Sequence, residues 1–156
     1  LKAFKKRKFE IDFKNAKNYF EICLAHDGFK RINHKISKHK RRVIIKYKSI
    51  YISDTIYGEG SIKLNSHFHF PKDLEINNEI QKRSDELCVD FILSSENKNS
   101  NSQFKIEDYS GSIDPFLGWR FQAYGSKLKA KSKVLNGNFE MPITLNSELI
   151  VKSRVE

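Results

Sequence analysis

Apolar side chains in this chain recur at every second position rather than at the three-to-four spacing of a helix. In NYFEICLAH, Phe20, Ile22 and Leu24 fall on one side of an extended backbone while Tyr19, Glu21 and Cys23 fall on the other, the pattern of a strand with one buried face. RVIIKYKSIYISDTI puts Val43, Ile45 and Tyr47 on one face and resumes after Ser49 with Ile50, Ile52 and Ile56. That reads as two antiparallel strands joined by a tight turn. SIKLNSHFHF alternates strictly, with Ile62, Leu64, Phe68 and Phe70 inward and Lys63, Asn65, His67 and His69 outward. Before it, YGEG (Tyr57 to Gly60) reads as a hairpin turn; after it, Pro71 ends the strand because it has no N–H for the ladder.

LCVDFIL and QFKIEDY are further strands, separated by SSENKNSNS, a polar run over residues 94–102 expected to be a flexible loop. From Gly111 onward, turn residues in SIDPF, LGW, YGS and LNGN punctuate the chain up to a final apolar stretch, MPITLNSELIV. Short strands, regular turn signals and no helical periodicity predict an all-β fold, an antiparallel β-sandwich forming a single domain over residues 1–156. A circular-dichroism spectrum dominated by β-structure is the corresponding expectation.

With 38% hydrophobic and 12% aromatic residues, a chain of 156 residues can build one core. Its formal charge of +10 favours anionic partners such as acidic polysaccharide, nucleic acid or anionic lipid, although a solvated lysine-rich surface accounts for the same number. No apolar run approaches a membrane span, and the start LKAFKKRKFE lacks the apolar stretch of a signal peptide. Cys23 and Cys88 have no CxxC spacing, and whether they pair stays open.

Four groups of residues invite a chemical reading. His26 and Asp27 have the composition of a catalytic pair, but they precede Gly28, so H-D-G is read as a turn in which Asp27 caps the bend and Gly28 takes a positive φ. His67 and His69 would project two imidazoles from one strand face, a geometry suited to zinc; sequence supplies no third ligand, so they are read as an outward row, and no metal or cofactor is expected in this chain. The basic cluster Lys30, Arg31, Lys35, Lys38, His39, Lys40, Arg41 and Arg42 could follow a phosphate backbone. No aromatic residue between Arg31 and Arg42 offers a base-stacking platform and no nucleic-acid motif is present, so nucleic acid is not an expected partner; Lys40, Arg41 and Arg42 remain candidate contacts for an acidic polysaccharide. In GWRFQAYG, Trp119 and Phe121 share a strand face and are expected to pack in the core or against a partner domain. The alternative is a sugar platform made of Trp119, Arg120 and Tyr124. There is no P-loop, GxSxG or GxGxxG motif.

In their order along the chain, AHDGFKRINHKISKHKRRVII, IYISDTIYGEG, SIKLNSHFHFP, PFLGWRFQAYGSKLKAKSKVL and MPITLNSELI resemble the C-terminal β-sandwich region of the heparinase II/III and alginate-lyase-like polysaccharide lyases. The resemblance runs from about Tyr19 onward, and the order of the pieces carries it rather than any one of them. It implies a bacterial enzyme that cleaves uronic-acid polysaccharide, glycosaminoglycan or alginate, by β-elimination. It also implies a helical toroid domain upstream in the same protein and, if exported, a periplasmic or cell-envelope location. The family's catalytic and metal-binding histidine elements lie upstream of the matched pieces, so no catalytic residue or metal ligand is carried over, and the isolated chain is expected to be inactive. A non-catalytic module that binds acidic polysaccharide is the alternative. On either reading, Ala25 to Ile45 is a turn leading into a strand, its charges facing solvent, an anionic polymer or a partner domain.

Overall fold

In a computed structural model, residues 8–72, 75–77, 88–96, 103–121, 123–124 and 126–152 are described. They form strands β1 (Phe9–Ala16), β2 (Tyr19–His26), β3 (Ile36–Ile45), β4 (Ser49–Gly58), β5 (Ser61–Phe70), β6 (Glu75–Asn77), β7 (Cys88–Glu96), β8 (Gln103–Ser110), β9 (Trp119–Arg120), β10 (Leu128–Lys129), β11 (Lys131–Glu140) and β12 (Ile143–Lys152). One 3₁₀ turn, Gly28–Arg31, lies between β2 and β3. The alternation therefore becomes strand, as expected, and the fold is an all-β sandwich. A seven-stranded sheet in the order β1-β2-β3-β4-β12-β7-β6 faces a three-stranded sheet, β5-β11-β8, with β9 and β10 forming a small ribbon apart. Strand pairs are antiparallel except β6 on β7.

Two chain crossings hold the sheets together. β4 pairs with β12 in the large sheet and β5 pairs with β11 in the small one, so YGEG is not a hairpin turn. It is an arch that lifts the chain from one sheet to the other, and β11 passes to β12 by a second arch at Met141 and Pro142. The arches lie together, because the Met141 N–H donates to the Gly60 carbonyl at 3.0 Å. Gly60, at φ +71, meets the turn requirement that its position in YGEG announced. Gly58 is required by space, since a Cβ there would overlap the Lys35 carbonyl oxygen and stand 2.8 Å from Met141 Sδ.

The core lies where the arches clamp the sheets. Ile56, Ile143 and Leu145 of the large sheet pack with Ile62, Leu135 and Phe139 of the small one, and Ile36 joins them. Full burial of such side chains contributes roughly 1.5–3 kcal/mol each. Ile36 reaches the inner side because the β3–β4 register shifts between Ile36 and Lys38, a bulge that turns one residue to the opposite face. The strict alternation expected of β5 holds, with Ile62 and Phe70 buried and Lys63, His67 and His69 exposed.

Several expectations need correction. LNGN is not a turn: it lies within β11, paired on both sides, with Leu135 fully buried. Tyr47 is not on the face of Val43 but in the turn between β3 and β4, where it is exposed. β7 runs through Ser94–Glu96 and so takes the first residues of the expected 94–102 loop; residues 97–102 lie outside the described residues. Cys23 is a free thiol, and nothing is described for the Cys88 side chain.

Candidate functional site

Alternation along β3 divides the basic cluster. Lys38, Lys40 and Arg42 point to the outer face of the large sheet, whereas His39 and Arg41 point to the inner side, His39 in the row of His26 and Ile56 and Arg41 in the row of Leu24 and Asp54. Lys40, Arg41 and Arg42 thus do not form one patch. Arg42 binds Glu21 through two nitrogens, at 2.6 and 3.1 Å, and Lys38 reaches Glu10 at 2.8 Å. Those bonds, from Lys38 to Glu10 and from Arg42 to Glu21, hold both carboxyls below the usual carboxylate range, with Lys40 adding to each. Lys40 itself is exposed and forms no ion pair among the described residues. Exposed pairs of this kind contribute little to stability, because water and salt screen them and two long side chains must be held in place.

The inner side carries a connected polar chain that no sequence motif announced. The Gly28 N–H donates to His26 Nδ1 at 3.0 Å, His26 Nε2 lies 3.3 Å from His39 Nδ1, and His39 Nε2 lies 2.8 Å from Asp54 Oδ1. With Nδ1 of His26 accepting, its Nε2 carries the proton and donates to His39, whose own Nε2–H donates to Asp54. Arg41 closes the chain, with Nε at 2.7 Å from Oδ1 and Nη2 at 2.9 Å from Oδ2 of Asp54. Burial pushes the Asp54 carboxyl up, but the hydrogen bonds from His39 and Arg41 and the Arg41 charge outweigh it and hold the group below its ordinary value. Phe29, on the 3₁₀ turn, packs its ring 5.2 Å from His26 and 5.4 Å from His39.

This geometry corrects the H-D-G reading in detail while keeping it a turn. Gly28 opens the 3₁₀ turn and is not among the positive-φ glycines, which are Gly60, Gly111 and Gly118 among the described residues. Asp27 makes no capping hydrogen bond, and its Oδ1 is buried without a partner. The pair His26 and Asp27 is thus replaced by His26, His39 and Asp54, drawn from three adjacent strands. Only strand register could have brought these together from sequence, and register is a long-range property.

The second candidate region leaves the small sheet after β8 and returns at β11. Trp119 is half-buried, outside the main core; its indole N–H donates to the Ser112 carbonyl at 2.6 Å and its ring stacks on Phe116 at 5.9 Å. The Lys127 ammonium sits 4.1 Å from the Trp119 ring centroid, a cation–π contact. Phe121 is 64% exposed, so the expected shared core face with Trp119 is not formed, and β9 ends at Arg120. Arg120 and Tyr124 are exposed beside this stack in sequence. Among the described residues no hydrogen bond, ion pair or ring contact links the Trp119 group to Lys40, Arg41 or Arg42.

On β5, His69 Nδ1 meets the Ser132 hydroxyl at 2.8 Å and the rings of His67 and His69 stack at 6.4 Å. No group of three His, Cys, Asp or Glu side chains placed to hold a metal ion occurs among the described residues. No helix among them is long and apolar enough to cross a membrane.

Residues 2–155 match the family described as Heparinase II/III-like, C-terminal. Among solved structures, heparan sulfate lyase HepC from Pedobacter heparinus is similar with a TM-score of 0.63 and 13% identity, over 96% of this chain and 22% of that one. A mutant of the same lyase gives a TM-score of 0.63 and 14% identity with the same coverage. The chain thus spans less than a quarter of that lyase's length. No curated protein matches the sequence.

Proposed function

Since the chain belongs to the heparinase II/III-like C-terminal family, we propose that it is the C-terminal β-sandwich region of a lyase acting on uronic-acid polysaccharide by β-elimination. In that reaction a base removes the proton α to the uronate carboxyl, cationic or hydrogen-bonding groups stabilise the resulting enolate, and the glycosidic C–O bond then breaks as an acid protonates the departing oxygen, leaving an unsaturated uronate and a free sugar hydroxyl. No residue of this chain is given a catalytic or metal-binding role. Its contribution is to bind and orient polymer, with Lys40, Trp119, Arg120 and Tyr124 as candidate contacts; Arg41 and Arg42 keep the same candidacy, but each is already engaged by a carboxylate.

The observation that carries this reading is the family match over residues 2–155. It is tested by the ultraviolet absorbance of the unsaturated product on heparosan, heparan sulfate and alginate. The 156-residue chain alone is expected to be inactive, and a protein that includes the upstream chain to be active. Turnover by the isolated chain would contradict the division of labour, and an inactive longer protein would contradict the lyase reading.

The Trp119–Phe116–Lys127 stack beside exposed Arg120 favours a second reading, a non-catalytic module for acidic polysaccharide. A sugar ring displacing Lys127 from the indole face would shift Trp119 emission, and binding would weaken with salt because exposed charges are screened. Emission unchanged by uronate oligosaccharide removes Trp119 from the contact list.

A further inference from the structure

The outer face of the small sheet has a composition that a solvent-facing β-surface does not need. At its centre β11 carries Asn136, Gly137 and Asn138 in succession, residue types that weaken strands. They are nonetheless held in register between β5 and β8, as the cross-strand rows Lys63–Asn138 and Asn65–Asn136–Lys105, followed by His67–Val134–Glu107. Here the two asparagines, flanked by Lys63, Lys105 and Glu107, line an open groove of about 480 Å³.

We propose that this groove is a subsite for an extended acidic saccharide, with the Asn136 and Asn138 amides bonding ring hydroxyls, Lys63 pairing with a carboxylate or sulfate, and the three-donor Lys105 ammonium bridging Glu107 and a further anionic group. The proposal rests on the acidic-polysaccharide reading above. An amide offers two donors and an acceptor on one short arm, which suits vicinal hydroxyls, whereas a purely anionic ligand would call for cations alone. Glu107 supplies a fixed acceptor: the Lys105 ammonium at 2.6 Å and then the Tyr109 hydroxyl hold its carboxyl ionised. From Lys63 to the row of Glu107 the groove runs about 13 Å at the rise of a strand, more than a single sugar ring needs. Its far end is closed where the Gly118 N–H and His69 both bond the buried Ser132 hydroxyl.

The test is calorimetric titration of the full 156-residue chain with heparosan, heparin and neutral gluco-oligosaccharides, repeated on variants. Lys63→Ala/Lys105→Ala is expected to weaken binding of the acidic ligands by about tenfold or more, equivalent to at least about 1.4 kcal/mol. Lys17→Ala/Lys46→Ala, which removes the same charge from exposed turns of the large sheet, is expected to change it by less than about twofold. Asn136→Ala is expected to weaken the same binding by about threefold or more; should that variant fold poorly, amide chemical-shift changes in the native chain at residues 63–67, 105–107 and 134–138 provide the independent readout. Binding that falls equally in both lysine pairs, or shifts that fall elsewhere, overturns the groove and leaves the acidic-polysaccharide reading standing. No binding by the native chain overturns the groove as well, while the lyase assay of the longer protein decides that reading separately.

Discussion

Along β4 and β12 the large sheet alternates apolar and polar residues much as it does along β1 and β2, yet the two halves end up in different surroundings. Under the small sheet, Ile56, Ile143 and Leu145 are buried; on β1, Phe9, Ile11 and Phe13 are 60%, 60% and 71% exposed although they occupy the same inner face. Alternation specifies that a strand has an apolar face. It does not specify what covers that face, which here is decided by the arches at Gly60 and Met141 and the width of the three-stranded sheet they create. Toward the uncovered half, the inner face turns polar at His26, His39, Arg41 and Asp54, and a hydrogen-bonded chain replaces apolar contact.

The comparison predicts a graded set of stability losses, readable by urea denaturation. Phe139→Ala, in the covered core, is expected to cost about 3–5 kcal/mol, because the cavity cannot collapse between two sheets. Gly58→Ala comes next at about 2–3 kcal/mol, since a methyl group there must displace the Lys35 carbonyl at the arch. Asp54→Asn, between the halves, is expected to cost about 2 kcal/mol at neutral pH by leaving Arg41 and His39 without their carboxylate.

This variant also has a pH signature. The Asp54 carboxyl is held below its ordinary value, so its stabilising contribution is complete above that value and disappears as pH falls through the depressed folded one. The wild-type advantage over Asp54→Asn should therefore shrink only on the acid side of the ordinary carboxylate value. A gap that stayed constant into that range would mean that Asp54 is not the titrating group. Smallest of all, Phe13→Ser on β1 is expected to change stability by less than about 0.5 kcal/mol, the usual range for surface positions. A loss comparable to Phe139→Ala would show that something covers the β1 face in solution.

Much of this architecture was legible in the sequence because period two is a local property: β2, β3, β4, β5, β7 and β8 fall where alternation places them. The failures share one cause. Gly60 announces a bend, but a bend within a sheet and a bend between sheets use the same residue; LNGN has turn chemistry, yet pairing on both sides keeps it extended. Likewise Arg41 and Arg42 are adjacent in sequence and lie on opposite faces, and His26, His39 and Asp54 meet only through the register of three strands. The groove at Asn136 and Asn138 was hidden for the same reason, since its lysines come from β5 and β8. Family membership, by contrast, was legible from the order of short motifs, which requires no register.

Native-state hydrogen exchange tests the central claim, that the arches and the small sheet decide which half of the large sheet is core. Amides in the β4–β12 and β5–β11 ladders should exchange only through global unfolding, and those in the β1–β2 ladder through local opening at markedly lower free energy. Equal protection of β1–β2 and β4–β12 would contradict it.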